Sequence, residues 1–194
     1  MSTEWTMPLE VKVYEALAAV ADGRVRLLGP TNAEGASSTG ERVYTLTWAE
    51  DGRTYSSNDN ASYWHGSMGY PTIAVAPARG QLAYDSAIAA QLAGISWKAL
   101  VHAAGHDYVK ALEVASRGVE TAGGDRTAIT KHAKAIYAGL AELRLERGPR
   151  GAPLRRADAV EDGARRFARP VSFVPERGVL GSYATARIAR RRAE

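Results

Sequence analysis

Residues 58–70, NDNASYWHGSMGY, crowd one carboxylate (Asp59), one imidazole (His65), two amides and three aromatic rings into a stretch without hydrophobic period. Those groups suit proton transfer or the binding of a flat, polar ligand, and glycines at 66 and 69 let a backbone come close. Asp59, Tyr63, Trp64 and His65 are the candidate site residues of this loop. The same composition suits a loop that caps a sheet with Trp64 and Tyr70 turned into the core, and that packing is the expectation.

Tyr63-x-His65-Gly66-Ser67 resembles the His-Gly-Thr/Ser segment that holds NAD in ADP-ribosyltransferases, with His65 as the match. The resemblance implies further strands after the histidine, whereas residues 85–145 read as helices. His102 and His106 stand four apart, a spacing that puts two imidazoles on one helical face and that zinc proteases use; those enzymes need Glu after the first histidine, and Ala103 is there. The His106-Asp107 pair resembles the paired ligands of HD-type phosphohydrolases. That resemblance implies a helical metal-dependent hydrolase with an upstream His, met by His65, and a downstream Asp, met by Asp125 or Asp158. The alternative role for Asp107 is to cap the next helix, and the sequence favours it.

Ala90, Gly94 and Leu100 have the spacing of a helix-turn-helix: a small residue, a turn glycine, and an apolar residue six further on. A helix that reads bases must present polar side chains to a groove. Ser96, Lys98 and His102 are all this one has, so a plain helical hairpin is the stronger reading.

The positive charge changes character along the chain. Residues 146–194 hold twelve arginines, no lysine and six acids, a net of +6, while residues 1–145 carry −2. Guanidinium stays ionised and forks onto phosphate or carboxylate, so an arginine-only stretch suits a polyanion or an acidic protein face, although a GC-rich genome also favours Arg over Lys. Arg187, Arg190, Arg191 and Arg192 form the densest cluster, joined by Arg165 and Arg166. They could neutralise phosphates without sequence preference.

Several elements must position these groups. Residues 8–21 carry Leu9, Val13, Ala16, Leu17 and Val20 at helical spacing, with Asp22-Gly23 as the stop. Residues 24–28, 41–48 and 53–57 read as strands, the last two joined by a turn ending in Asp51-Gly52. Residues 29–40 read as a polar loop, and 71–78 as a short helix ended by Pro77. Asp85 or Ser86, Ser96, Asp107, and Asp125 or Thr127 are placed to cap four helices through residue 145, the last with a stripe of Ile129, His132, Ile136, Leu140 and Leu143. From residue 147 the chain reads as a linker, yet Val171, Phe173, Val174, Val179 and Leu180 are apolar enough to dock on something.

With 194 residues the chain can bury one good core. It has no cysteine, which removes disulfides, thiolate nucleophiles and Cys-ligated metals. No stretch approaches the roughly 20 apolar residues of a membrane span, so a cytoplasmic protein is expected. The sequence therefore predicts an α+β domain at 1–146, with one helix on a three-stranded antiparallel sheet followed by a helical half, and an Arg-rich, partly ordered extension at 147–194. The function it favours is non-enzymatic binding, without a cofactor, of nucleic acid, a nucleoprotein complex or an acidic protein surface. The alternatives are a phage or mobile-element inhibitor docking on a host nucleoprotein or defence complex, and a metal-dependent hydrolase using His65, His106 and Asp107.

Overall fold

A computed structural model describes residues 4–151. They form an α+β fold of six α-helices, one turn of π-helix and a five-stranded sheet in the order β1-β2-β3-β4-β5. The strands are β1 (Val25–Gly29), β2 (Asn32–Ala36), β3 (Val43–Trp48), β4 (Thr54–Ser57) and β5 (Glu146–Arg147). β1 to β4 meander antiparallel, and β5 joins parallel to β4 through Thr54↔Glu146 and Tyr55↔Arg147.

β3 shows the alternation its sequence announces, with Tyr44, Leu46 and Trp48 buried and Thr45 and Thr47 exposed. Two strands go beyond the three expected. β2 lies in the segment that reads as a polar loop, because Asn-Ala-Glu-Gly-Ala has no β-branched or aromatic residue. It is a strand because β1 and β3 supply partners on both edges and because its small residues admit a helix. A Cβ on Gly35 would meet Pro71 at 3.1 Å. β5 is two residues long and carries no period, so nothing local marks it.

The helices are α1 (Val11–Ala21), α2 (Tyr70–Ala78), α3 (Ser86–Ala90), α4 (Trp97–Ala103), α5 (Tyr108–Thr121) and α6 (Arg126–Leu143). α2 is buried from Tyr70 through Pro77, as a helix apolar all round must be. It accommodates two prolines by placing Pro71 at its start, where the missing N–H has no partner to lose, and Pro77 in its last turn. α1 packs on α2 and is enclosed on most sides, with Val13, Ala16, Leu17, Ala18 and Ala19 at 2% exposure or less. It begins at Val11, past Pro8, and Leu9 is exposed, against expectation. α3, α5 and α6 also pack on α1.

Asp85, Asp107 and Asp125 cap α3, α5 and α6, each accepting from backbone N–H groups of the first turn. Ser96 stands at the N-cap of α4 without a side-chain bond. In α6 the buried positions are Ile129, Ala133, Ile136 and Leu140, so Ala133 takes the place expected of His132.

His132 instead accepts a hydrogen bond at Nε2 from the Asp85 backbone N–H, 3.2 Å away. Partial burial lowers its pKa below the ordinary 6.5, with the Asp85 carboxylate opposing. A depressed folded-state value means that this contribution to stability is complete above the unfolded-state value and is lost as pH falls through the folded one. Thermal melts from about pH 7.5 down to about pH 5 should show the wild type losing more stability than His132→Gln, which keeps an acceptor without titrating. Equal slopes would show that His132 carries no such linkage.

Candidate functional site

The aromatic loop is a built structure, and Asp59 is its anchor. Asp59 is 4% exposed. Oδ1 accepts from the backbone N–H groups of Ala61 and Ser62 at 3.0 and 3.2 Å, and Oδ2 from the hydroxyls of Ser57 and Ser62 at 2.7 and 2.5 Å. A buried carboxylate serving four donors fixes the backbone around it. Gly69 is pressed against it: a Cβ there would collide with both carboxylate oxygens. Asn58, also buried, accepts from the Thr45 N–H at 2.9 Å and ties the loop to β3.

The turn that Asp59 anchors is a single turn of π-helix (Ala61–His65), closed by Gly66 in the left-handed region at φ +62°. Its wide winding turns Ser62 inward to the carboxylate and leaves Trp64 and His65 outside. Trp64 is 66% exposed, the reverse of the core position expected, whereas Tyr70 is buried as expected. The Tyr63 and Trp64 rings meet edge to face at 4.8 Å. Behind them the loop is stitched to residues 4–6: Thr6 N–H bonds Gly66 O at 3.1 Å, Met68 N–H bonds Thr6 O at 3.4 Å, and the Trp5 indole bonds Glu146 O at 2.9 Å.

Two arginines complete the patch. The Arg147 guanidinium lies where a Cβ of Gly66 would be, and Arg150 Cζ is 5.7 Å from the Tyr63 ring centroid. In the sequence these residues read as the start of a linker. The signal was present, since both open the arginine-only stretch, but nothing in the sequence told which surface they would meet. Arg165, Arg166, Arg187, Arg190, Arg191 and Arg192 lie outside the described residues, as do Asp158 and the apolar positions near residue 173.

His102 and His106 are exposed, with ring centroids 6.0 Å apart, and His106 sits at φ +66° in the turn after α4. Asp107 Oδ1 is engaged by the Lys110 N–H as the cap of α5. Among the described residues no three His, Cys, Asp or Glu side chains gather in a way that could hold a metal ion, so His65, His106 and Asp107 are not brought together as one. Between His65 and residue 151 the regular elements are helices apart from the two-residue β5, so the strands implied by the ADP-ribosyltransferase resemblance are absent from the described residues.

Ala90, Gly94 and Leu100 fall on two successive short helices, α3 and α4, and the turn between them, with Gly94 at φ +78°. The start of α4 is committed internally: Trp97 is fully buried, Lys98 N–H bonds Ser38 Oγ at 3.1 Å, and Lys98 Nζ pairs with Glu41. Between α4 and α5 runs an apolar groove of about 600 Å³ lined by Ile95, Ala99, Leu100, Val114 and Val119. No helix among the described residues is long and apolar enough to cross a membrane.

Compared with known proteins, residues 5–146 match the model of one family, described as "Uncharacterised conserved protein UCP014422". No curated protein and no solved structure matches the chain.

Proposed function

Since the chain belongs to the family of uncharacterised conserved protein UCP014422, whose match ends at residue 146 just before the arginine-only stretch, we propose that it is a non-enzymatic nucleic-acid-binding protein in which the family domain presents a cationic extension. One observation carries the reading. The extension leaves the domain at the aromatic loop, with Arg147 packed on Gly66, Arg150 over Tyr63 and Gly151 beside Asn58. The first two guanidiniums of the run thus lie on the same anchored turn that carries exposed Trp64, one against Gly66 and one over the half-buried Tyr63 ring.

Arg187, Arg190, Arg191 and Arg192 supply phosphate contacts in this reading, with Arg165 and Arg166. Each phosphate neutralised releases counterions, so affinity falls steeply with salt. Changing Arg187, Arg190, Arg191 and Arg192 to Gln in the full chain should weaken binding to any oligonucleotide and reduce the slope of log affinity against log salt by up to about 3 to 4. Fluorescence anisotropy across a salt series reads it. Binding with an unchanged slope would remove these four from the interface, and no binding by the wild type at low salt would end the nucleic-acid reading.

A second reading, an inhibitor docking on a host nucleoprotein or defence complex, draws support from the α4–α5 groove, where half-exposed Val114 borders apolar surface that a protein partner could cover. The two differ in their salt response: a protein partner held in this groove would stay bound where the oligonucleotide is lost.

A further inference from the structure

We propose that exposed Trp64, backed by the half-buried Tyr63 ring, is a base-stacking platform, so that the nucleic acid bound is single-stranded. The inference rests on the nucleic-acid reading above and narrows its ligand. Of the four tryptophans, Trp5, Trp48 and Trp97 are at 7% exposure or less, and Trp64 alone faces water.

Its setting is rigid. The π-helical turn beneath it is pinned by the four donors on Asp59 and by the Thr6–Gly66 bond, and the Tyr63 ring meets the indole in a T-shaped pair with centroids 4.8 Å apart. A ring held in place loses little freedom when a base lands on it, so the contact is preorganised. An accidental apolar outlier on a mobile tip would lack that scaffolding.

Charge tells what the ring is for. Arg150 sits over the Tyr63 ring, Arg147 lies against the glycine that closes the turn, and a run of ten further arginines follows in sequence. An aromatic face flanked by guanidiniums matches a chain that offers flat bases and phosphates together. A duplex keeps its bases stacked inside and offers only phosphates to such a surface, whereas a single strand can lay a base on Trp64 while its backbone follows the arginines. Stacking releases no counterions, so it adds affinity for single strands without steepening the salt dependence.

The test uses the full chain with a fluorescein-labelled oligothymidylate and with the same strand in duplex form, over a salt series. The expected result is that Trp64→Ala weakens single-strand binding about tenfold at every salt concentration, leaves the slope and the duplex affinity unchanged, and that Trp64→Phe restores most of the loss. Oligothymidylate should also quench the tryptophan emission of the wild type more strongly than that of Trp64→Phe. Because Trp64 is exposed, melting curves of the variants should overlay the wild type. Salt-steep binding that Trp64→Ala leaves intact for both forms would overturn the platform while the polyanion reading stands. No binding of either form at low salt, or binding only to a protein partner, would overturn both.

Discussion

Asp59→Ala is expected to destabilise the protein by about 3 to 5 kcal/mol, among the largest costs for a single surface-distal loop residue. The carboxylate occupies a site at 4% exposure where four donors converge, and alanine leaves two hydroxyl and two backbone N–H donors without their acceptor. Asp59→Asn gives a graded control. Its Oδ1 can still take the Ala61 and Ser62 N–H groups, and the Ser57 and Ser62 hydroxyls can rotate to accept from Nδ2, so only charge assistance is lost, about 1 to 2 kcal/mol. Urea unfolding of the three proteins should rank them wild type, Asn, Ala. Near-neutral Asp59→Ala would mean the loop does not depend on this anchor.

Trp97→Ala should be as damaging, about 3 to 5 kcal/mol, for a different reason. Trp97 opens α4 at zero exposure, and truncation would empty the space of an indole under a helix of seven residues. Its Nε1 has no hydrogen-bond partner among the described residues, so Trp97→Phe deletes no bond and should cost no more than about 1.5 kcal/mol. Chemical unfolding of both variants measures the difference. A Phe variant as unstable as the Ala variant would show that the indole N–H is bonded in solution.

The legible parts of the fold were those whose signal is local. Asp85, Asp107 and Asp125 cap helices because an Asx oxygen reaches the next amides from its own position in the chain. β3 was legible because every second side chain is apolar. β2 was not, since Gly35 is small where Pro71 of α2 lies against it, a requirement set by a residue far along the chain. The loop was singled out for its polar and aromatic content, but the roles within it could not be read. Asp59 looks equally like a catalytic carboxylate and a structural one until its four donors are seen, though Ser62 three residues on is the spacing of a capping pair. Trp64 was expected inside because tryptophan usually is, and a π-helical turn, with its extra residue per winding, reverses that.

The Trp5 indole bonded to Glu146 O, with Thr6 laced to Gly66 and Met68, also orders events during synthesis. The ribosome delivers Trp5 long before Glu146 exists, so this segment must wait with its indole unpaired while the meander and six helices are made. Contacts 141 residues apart are of the long-range kind that slows folding in general. The Thr6 bonds to the loop can form once Met68 exists, but the Trp5–Glu146 bond and the Arg147 contact come last, as β5 adds itself to the edge of β4. A nascent chain stalled before residue 146 would carry the rings and the Asp59 anchor but not the first two cations beside them.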